Sequence, residues 1–303
     1  MDMKKENDIL ETTLSIAENG YPEAYQFLLD AYEKSPENYG PQTLYFLACL
    51  ASGADRTEEA LGWLRKAVAD NGWWYRPEVL KDEDLGPLKN NSEFISLKSI
   101  SDIRYADAVS KAEASFSWER KTADNLFLAV HGNTQNWQTA RNDWEPALEG
   151  NCQWQIETIQ SAEPDGYGTY RWSYDMTSYL PVAGAIEKIQ NEGYRQIVCG
   201  GFSAGCDMLL RSILFTAARC DQLILQSPWI PVLQDHAEAL VQAVREKKTA
   251  LRIFCGSDDE DCLPMAKQLY ALADEEGLNV KLTIQENSRH QFPVEPYTLK
   301  DLL

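Results

Sequence analysis

Ser203 stands in Gly201-Phe202-Ser203-Ala204-Gly205, between an apolar run that ends Ile197-Val198-Cys199 and a helical stretch that begins Cys206-Asp207-Met208-Leu209. Glycines two places before and two after the serine allow a strand to turn sharply into a helix. Such a turn holds the serine in a strained backbone and projects its hydroxyl above the strand end. A serine hydroxyl is a weak nucleophile until a neutral imidazole accepts its proton. The chain has three histidines, His131, His236 and His290. His290 lies in a loop, residues 286–293, just after the last apolar run, whereas His236 is embedded in a helical stretch and reads as a solvated helix residue. A carboxylate is then needed to hold the imidazole and stabilise its cation. Asp258, Asp259, Glu260 and Asp261 follow the apolar run 251–255 and supply four. Together these groups would carry acyl transfer through an acyl-serine that water hydrolyses, with no metal and no cofactor.

Such side chains need a frame. From residue 125 onward, short apolar runs alternate with amphipathic stretches, which indicates a mostly parallel sheet covered on both faces. Residues 126–130, 154–159, 196–199, 223–225, 251–254 and 280–284 read as six strands. Between them Val182, Ile186 and Ile189, then Leu210, Ile213, Leu214 and Ala217, then Met265, Leu269 and Leu272 recur at helical spacing. Trp154, Ile156 and Thr158 alternate with Gln153, Gln155 and Glu157, so that strand is expected to be solvated on one face. Phe116 and Trp118 add a short antiparallel strand ahead of the first parallel one. Up to Ala114 the chain reads in helical periods punctuated by Gly, Pro and Asn. There Ala24, Leu28, Ala31 and Pro36 recur as Ala60, Leu64, Ala67 and Gly72, a repeat of the kind that stacked helical hairpins show. The expected organisation is an all-α helical-repeat domain over 1–114 and an α/β domain over 115–303.

The strand, Gly-rich turn and helix around Ser203 resemble the nucleophile elbow of the α/β-hydrolase superfamily, and of its serine esterases in particular. Leu126-Phe127-Leu128-Ala129-Val130-His131-Gly132-Asn133-Thr134-Gln135 resembles the His-Gly-x oxyanion loop of esterases in that superfamily. The resemblance implies an α/β-hydrolase-type sheet with flanking helices and a triad in the chain order serine, acid, histidine. It therefore implies Ser203 as nucleophile and His290 as base, with the backbone N–H groups of Asn133 and Ala204 as the oxyanion hole and His131 as a structural residue. The family form Gly-x-x-Asp followed by proline selects Asp259 as the acid. Here one more residue than usual precedes Pro264, so Asp258 and Asp261 stay as alternatives. Trp137, Trp144, Trp172 and Trp229 are expected in loops at the C-terminal edge of the sheet, where ligands bind in open α/β folds. Of these Trp229, directly after a strand, is the candidate substrate-binding wall. The stretch between the strands at 223–225 and 251–254 has room for one helix and no lid.

Residues 41–74 resemble one tetratricopeptide repeat, with Leu44, Leu47 and Ala48 on its first helix and Ala60, Leu64 and Ala67 on its second. Residues 77–114 read as terminating helices. The resemblance leaves three roles for this part: a scaffold, a docking surface for a protein partner, or a cap over the hydrolase site. The connection at 112–122 has no Pro or Gly and carries two large aromatics, which favours the cap.

Composition narrows the field. Apolar residues at 44% and charged residues at 25% describe an ordinary globular chain. With 28 Lys and Arg against 47 Asp and Glu, the formal net charge is −19, a field that repels phosphate backbones and anionic lipid. Neither nucleic acid nor membrane is expected as a partner. No apolar run reaches membrane-spanning length and the N-terminus carries no apolar signal core, so a cytoplasmic location is expected. Seven cysteines, an odd number without a C-x-x-C pair, read as reduced thiols. The expected function is hydrolysis of a carboxylic ester with a small or medium acyl group. The alternatives are a thioesterase or peptidase of the same fold, or a non-catalytic scaffold that binds a partner.

Overall fold

In the computed structural model, which describes residues 3–293, the chain up to Lys111 is built from helices. They are α1 (Met3–Ala17), α2 (Tyr21–Lys34), α3 (Pro41–Gly53), α4 (Thr57–Arg65) and α5 (Ser92–Lys111). Pro22 and Pro41 stand in the first turns of α2 and α3, where a missing N–H costs nothing and the fixed φ suits the helix. Ala24, Leu28, Leu44, Leu47, Ala48, Ala60, Leu64 and Ala67 are all buried between these helices, and the alanines allow close approach of their backbones. A π-helical turn, Lys66–Asp70, prolongs α4, and two short 3-10 turns lead into α5. No helix among the described residues is long and apolar enough to cross a membrane.

From Ala112 the pattern changes. In chain order come β1 (Ser115–Phe116), β2 (Asn125–Val130), α6 (Trp137–Trp144), β3 (Trp154–Gln160), β4 (Pro164–Gly166), β5 (Thr169–Tyr170) and α7 (Met176–Gln190). Then follow β6 (Gln196–Phe202), α8 (Ala204–Phe215), β7 (Gln222–Gln226), α9 (Leu233–Lys247), β8 (Ala250–Gly256), α10 (Cys262–Glu275) and β9 (Val280–Gln285). A seven-stranded sheet has the order β1-β3-β2-β6-β7-β8-β9, parallel throughout except for β1, which runs antiparallel to β3. Alternate side chains of its central strands feed two cores. Leu126, Leu128, Val130, Leu223, Leu225 and Ile253 pack with α7 to α10, and Phe127, Ala129, Val198, Ile224 and Phe254 pack with α6.

The chain divides into two compact units, one ending at Lys111 and one beginning at Ala112, with a single exchange: Pro164–Tyr167 belongs with the helical unit. There Tyr167 N donates to Trp74 O at 3.1 Å, Arg76 pairs with Asp165 at 3.3 Å, and Tyr75 bridges to Gly166. No periodic signal marks this short excursion in the sequence.

Two expectations are corrected. The polar face of β3 is not solvated: Gln155 and Glu157 are buried. Residues 117–122 and Tyr194 cover that face and satisfy it, since Gln155 Nε2 donates to Arg120 O, Gln155 Oε1 accepts from Thr122 N and Tyr194 OH, and Ser117 donates to Glu157. Neither Trp137, which begins α6, nor Trp144, its last residue, is a loop residue at the site. Trp144 is buried against Phe127, with ring centroids 5.0 Å apart.

Candidate active site

Strand order places the site. From β2 the chain goes to β3 on one side, and β6 lies on the other, so the order reverses between β2 and β6. Crevices at the C-terminal ends of strands open at such reversals. The end of β2 carries His131, Gly132 and Asn133, and the end of β6 carries Phe202 and Ser203.

Ser203 has φ 51° and ψ −122°, a left-handed backbone that a residue with a Cβ adopts only under constraint. The constraint is visible on both sides. Ser203 N donates to Gln226 O at 2.9 Å, and α8 starts at the next residue. A Cβ on Gly201 would lie 2.8 Å from Cys206 N, and one on Gly205 would lie 2.5 Å from His131 O and 2.7 Å from Val130 O. The two glycines therefore let α8 press against both β6 and the loop after β2. The serine side chain makes no capping bond to the helix, and its residue is half-buried.

Asp259 follows β8, is 3% exposed, and its Oδ2 lies 2.9 Å from His290 Nδ1 in the loop after β9. Its Oδ1 accepts from Cys262 N at 3.2 Å. Burial works to raise the Asp259 pKa. The hydrogen bond and charge of His290, with help from the Cys262 N–H and the Ser227 hydroxyl, outweigh it and hold the carboxyl below its usual value. Asp258, Glu260 and Asp261 point to solvent. The Phe202 ring centroid lies 5.1 Å from that of His290, so the histidine loop borders the elbow. His236 is exposed at a kink inside α9 and packs edge-on against Phe215.

Asn133 and Ala204 flank the elbow. Ala204 is the first residue of α8, where N–H groups lack helical acceptors and the helix dipole favours negative charge. The Asn133 side chain is anchored: its Oδ1 accepts from Trp172 N at 2.9 Å and its Nδ2 donates to Tyr174 OH at 3.1 Å. His131 supports the same loop. It is fully buried, stacks on Trp172 with centroids 4.6 Å apart, lies with Nδ1 2.7 Å from Gly132 O and accepts at Nε2 from Ser161 N. Burial pushes its pKa down to about 4 against the hydrogen bond to Gly132. Trp172 is buried and Trp137 exposed, while Trp229 is half-buried in the loop after β7, where its indole interacts with the Tyr174 hydroxyl.

The structure thus brings Asp259 to His290 and the elbow to the loop that carries Asn133. It also adds residues that sequence reasoning missed. Tyr174, with φ 62°, and Trp172 fix Asn133 from some forty residues downstream, and no local pattern announces them. Cys262 Sγ lies 3.5 Å from His290 Nδ1, and its only sequence signal is its place three residues after Asp259.

The parallel sheet reversed between β2 and β6, with a strained serine at the strand-to-helix turn, defines the α/β-hydrolase fold. Residues 5–109 match the family model of the A/B hydrolase-like N-terminal domain. An uncharacterized protein from Bacillus cereus ATCC 10987, of known crystal structure, is 24% identical, with a TM-score of 0.52 over 97% of this chain and 95% of its own. Looser likenesses include esterase PE8, at 15% identity and TM-score 0.48 over 60% of this chain and 92% of that one. Acyl-protein thioesterase 2 of Zea mays aligns at 14% identity and TM-score 0.41, over 63% and 96%. No curated protein matches the sequence.

Proposed function

We propose that this protein is a serine hydrolase that cleaves carboxylic esters with small or medium acyl groups. The reading is carried by one observation: a buried carboxylate, Asp259, paired at 2.9 Å with Nδ1 of a half-exposed histidine that borders a serine in strained backbone. His290 donates its Nδ1 proton to Asp259 and keeps a lone pair on Nε2. That lone pair accepts the Ser203 proton as the hydroxyl oxygen attacks the ester carbonyl. The N–H groups of Asn133 and Ala204 stabilise the tetrahedral oxyanion. Collapse expels the alcohol, which takes the proton from the imidazolium. Water, deprotonated by the same histidine, then releases the acid from the acyl-serine. Trp229 beside Tyr174 walls the acyl pocket.

The test is labelling with a fluorophosphonate probe, followed by p-nitrophenyl esters of increasing chain length, matched thioesters and an amide. Single labelling at Ser203, lost in Ser203→Ala, and fastest turnover of short oxygen esters are expected. Undiminished labelling of Ser203→Ala would remove the assignment, and preference for a thioester or amide would move it to those substrates.

A further inference from the structure

Cys262 has no part in the hydrolytic sequence, yet its sulfur faces the histidine nitrogen that the acid holds. Cys262 Sγ to His290 Nδ1 is 3.5 Å, His290 Nδ1 to Asp259 Oδ2 is 2.9 Å, and the three donor atoms lie within 4.8 Å of one another. Zinc takes sulfur at about 2.3 Å and imidazole nitrogen at about 2.0 Å in tetrahedral geometry. Those lengths and the tetrahedral angle reproduce a sulfur–nitrogen separation of about 3.5 Å. The nitrogen–oxygen pair needs to open by only a few tenths of an ångström, roughly the freedom of one exposed side chain, and His290 is 37% exposed.

We propose that Asp259, Cys262 and His290 form a zinc-binding site whose occupation switches the hydrolase off. Charge favours the site: a carboxylate and a thiolate together balance a dication, and the imidazole adds none. Without metal, Asp259 Oδ2 and His290 Nδ1 stand 2.9 Å apart as an ordinary acid–histidine pair, with the Cys262 sulfur beside them. On binding, the thiol proton leaves to solvent and the sulfur bonds the metal. The metal also takes the Nδ1 lone pair of His290, so the ring proton must sit on Nε2. A histidine in that tautomer has no lone pair for the Ser203 proton, and its acid partner is bound elsewhere. Three protein ligands leave the fourth position to water, and entry is past the exposed edge of His290. The metal is an inhibitor here and has no place in the reaction.

The inhibition rests on the proposed function, whereas the metal site stands apart from it, and the experiment separates them. Metal-free full-length protein is titrated with Co2+, following the thiolate-to-cobalt absorption, and with Zn2+, following ester hydrolysis. One equivalent of Co2+ should raise the band, Cys262→Ala should abolish it, and Cys152→Ser, which alters the exposed cysteine, should keep it. The Zn2+ concentration for half-inhibition should rise at least about tenfold in Cys262→Ala, measured against that variant's own zinc-free rate. A band that survives in Cys262→Ala, a band lost in Cys152→Ser, or no band at all would overturn the site. If no ester is turned over and no probe attaches, the proposed function fails while a Cys262-dependent band still supports the metal site. Hydrolysis that Zn2+ leaves untouched despite such a band would overturn the switch.

Discussion

His131 follows β2 and His290 follows β9, two loops at the same edge of one sheet, and their surroundings hold the same side chain in opposite ways. Both nitrogens of His131 are spent: Nδ1 donates to the Gly132 carbonyl and Nε2 accepts from Ser161 N. With Trp172 stacked on its ring and no exposure, the imidazole has neither a free lone pair nor room to gain a proton. His290 has a buried anion at Nδ1, and its Nε2 bonds no described residue. A base needs one nitrogen held and the other free, and a strut needs both held. Partners and burial make this difference, because the residue type is shared.

The largest expected effect breaks the comparison on the His290 side. His290→Gln and Ser203→Ala should each lower kcat by about 10⁴- to 10⁶-fold, since in the proposed mechanism neither residue works without the other. Stopped or burst assays on the best ester measure this, and a modest loss in His290→Gln would leave the base unassigned.

Next comes the carboxylate. Asp259→Asn should reduce kcat by about 10⁴-fold with KM little changed, because the amide favours the wrong imidazole tautomer. Asp258→Asn and Asp261→Asn, at exposed positions, should stay within a few-fold. A large loss in either exposed variant transfers the role of acid.

On the His131 side the expected effect is read in stability. Its folded pKa of about 4 lies below the ordinary 6.5, so the unfolded chain takes up the proton first. The stabilisation is complete above about pH 6.5, is lost as pH falls toward 4 and changes no further below that, amounting to about 3 kcal/mol. Urea unfolding across this range should show the slope in the natural protein and lose that component in His131→Gln. An unchanged slope in the variant would assign the acid sensitivity elsewhere.

The smallest effect is expected at the third histidine. His236→Gln, exposed on α9, should change stability by less than about 0.5 kcal/mol and leave hydrolysis as it was.

Short-range physics made much of this protein readable from its sequence. Apolar runs such as 126–130 and 251–254 are strands because no exposed element tolerates them, and the elbow is legible because glycines at 201 and 205 act within a few residues of the serine. Four consecutive acidic residues after β8, by contrast, look alike in one dimension. Only the turn into α10 sends Asp259 inward to His290 and leaves its neighbours in water. The same holds for Gln155 and Glu157, polar by alternation yet buried because residues 117–122 and Tyr194 return to cover and bond them. Trp172 and Tyr174 reach Asn133, Cys262 reaches His290, and Pro164–Tyr167 joins the helical unit, all through chain returns that no periodicity records. Periodicity and turn sterics act over a handful of residues and are written into the sequence. Which side chains meet across the strand ends depends on how the loops close over the sheet, and that was decided only when the sheet assembled.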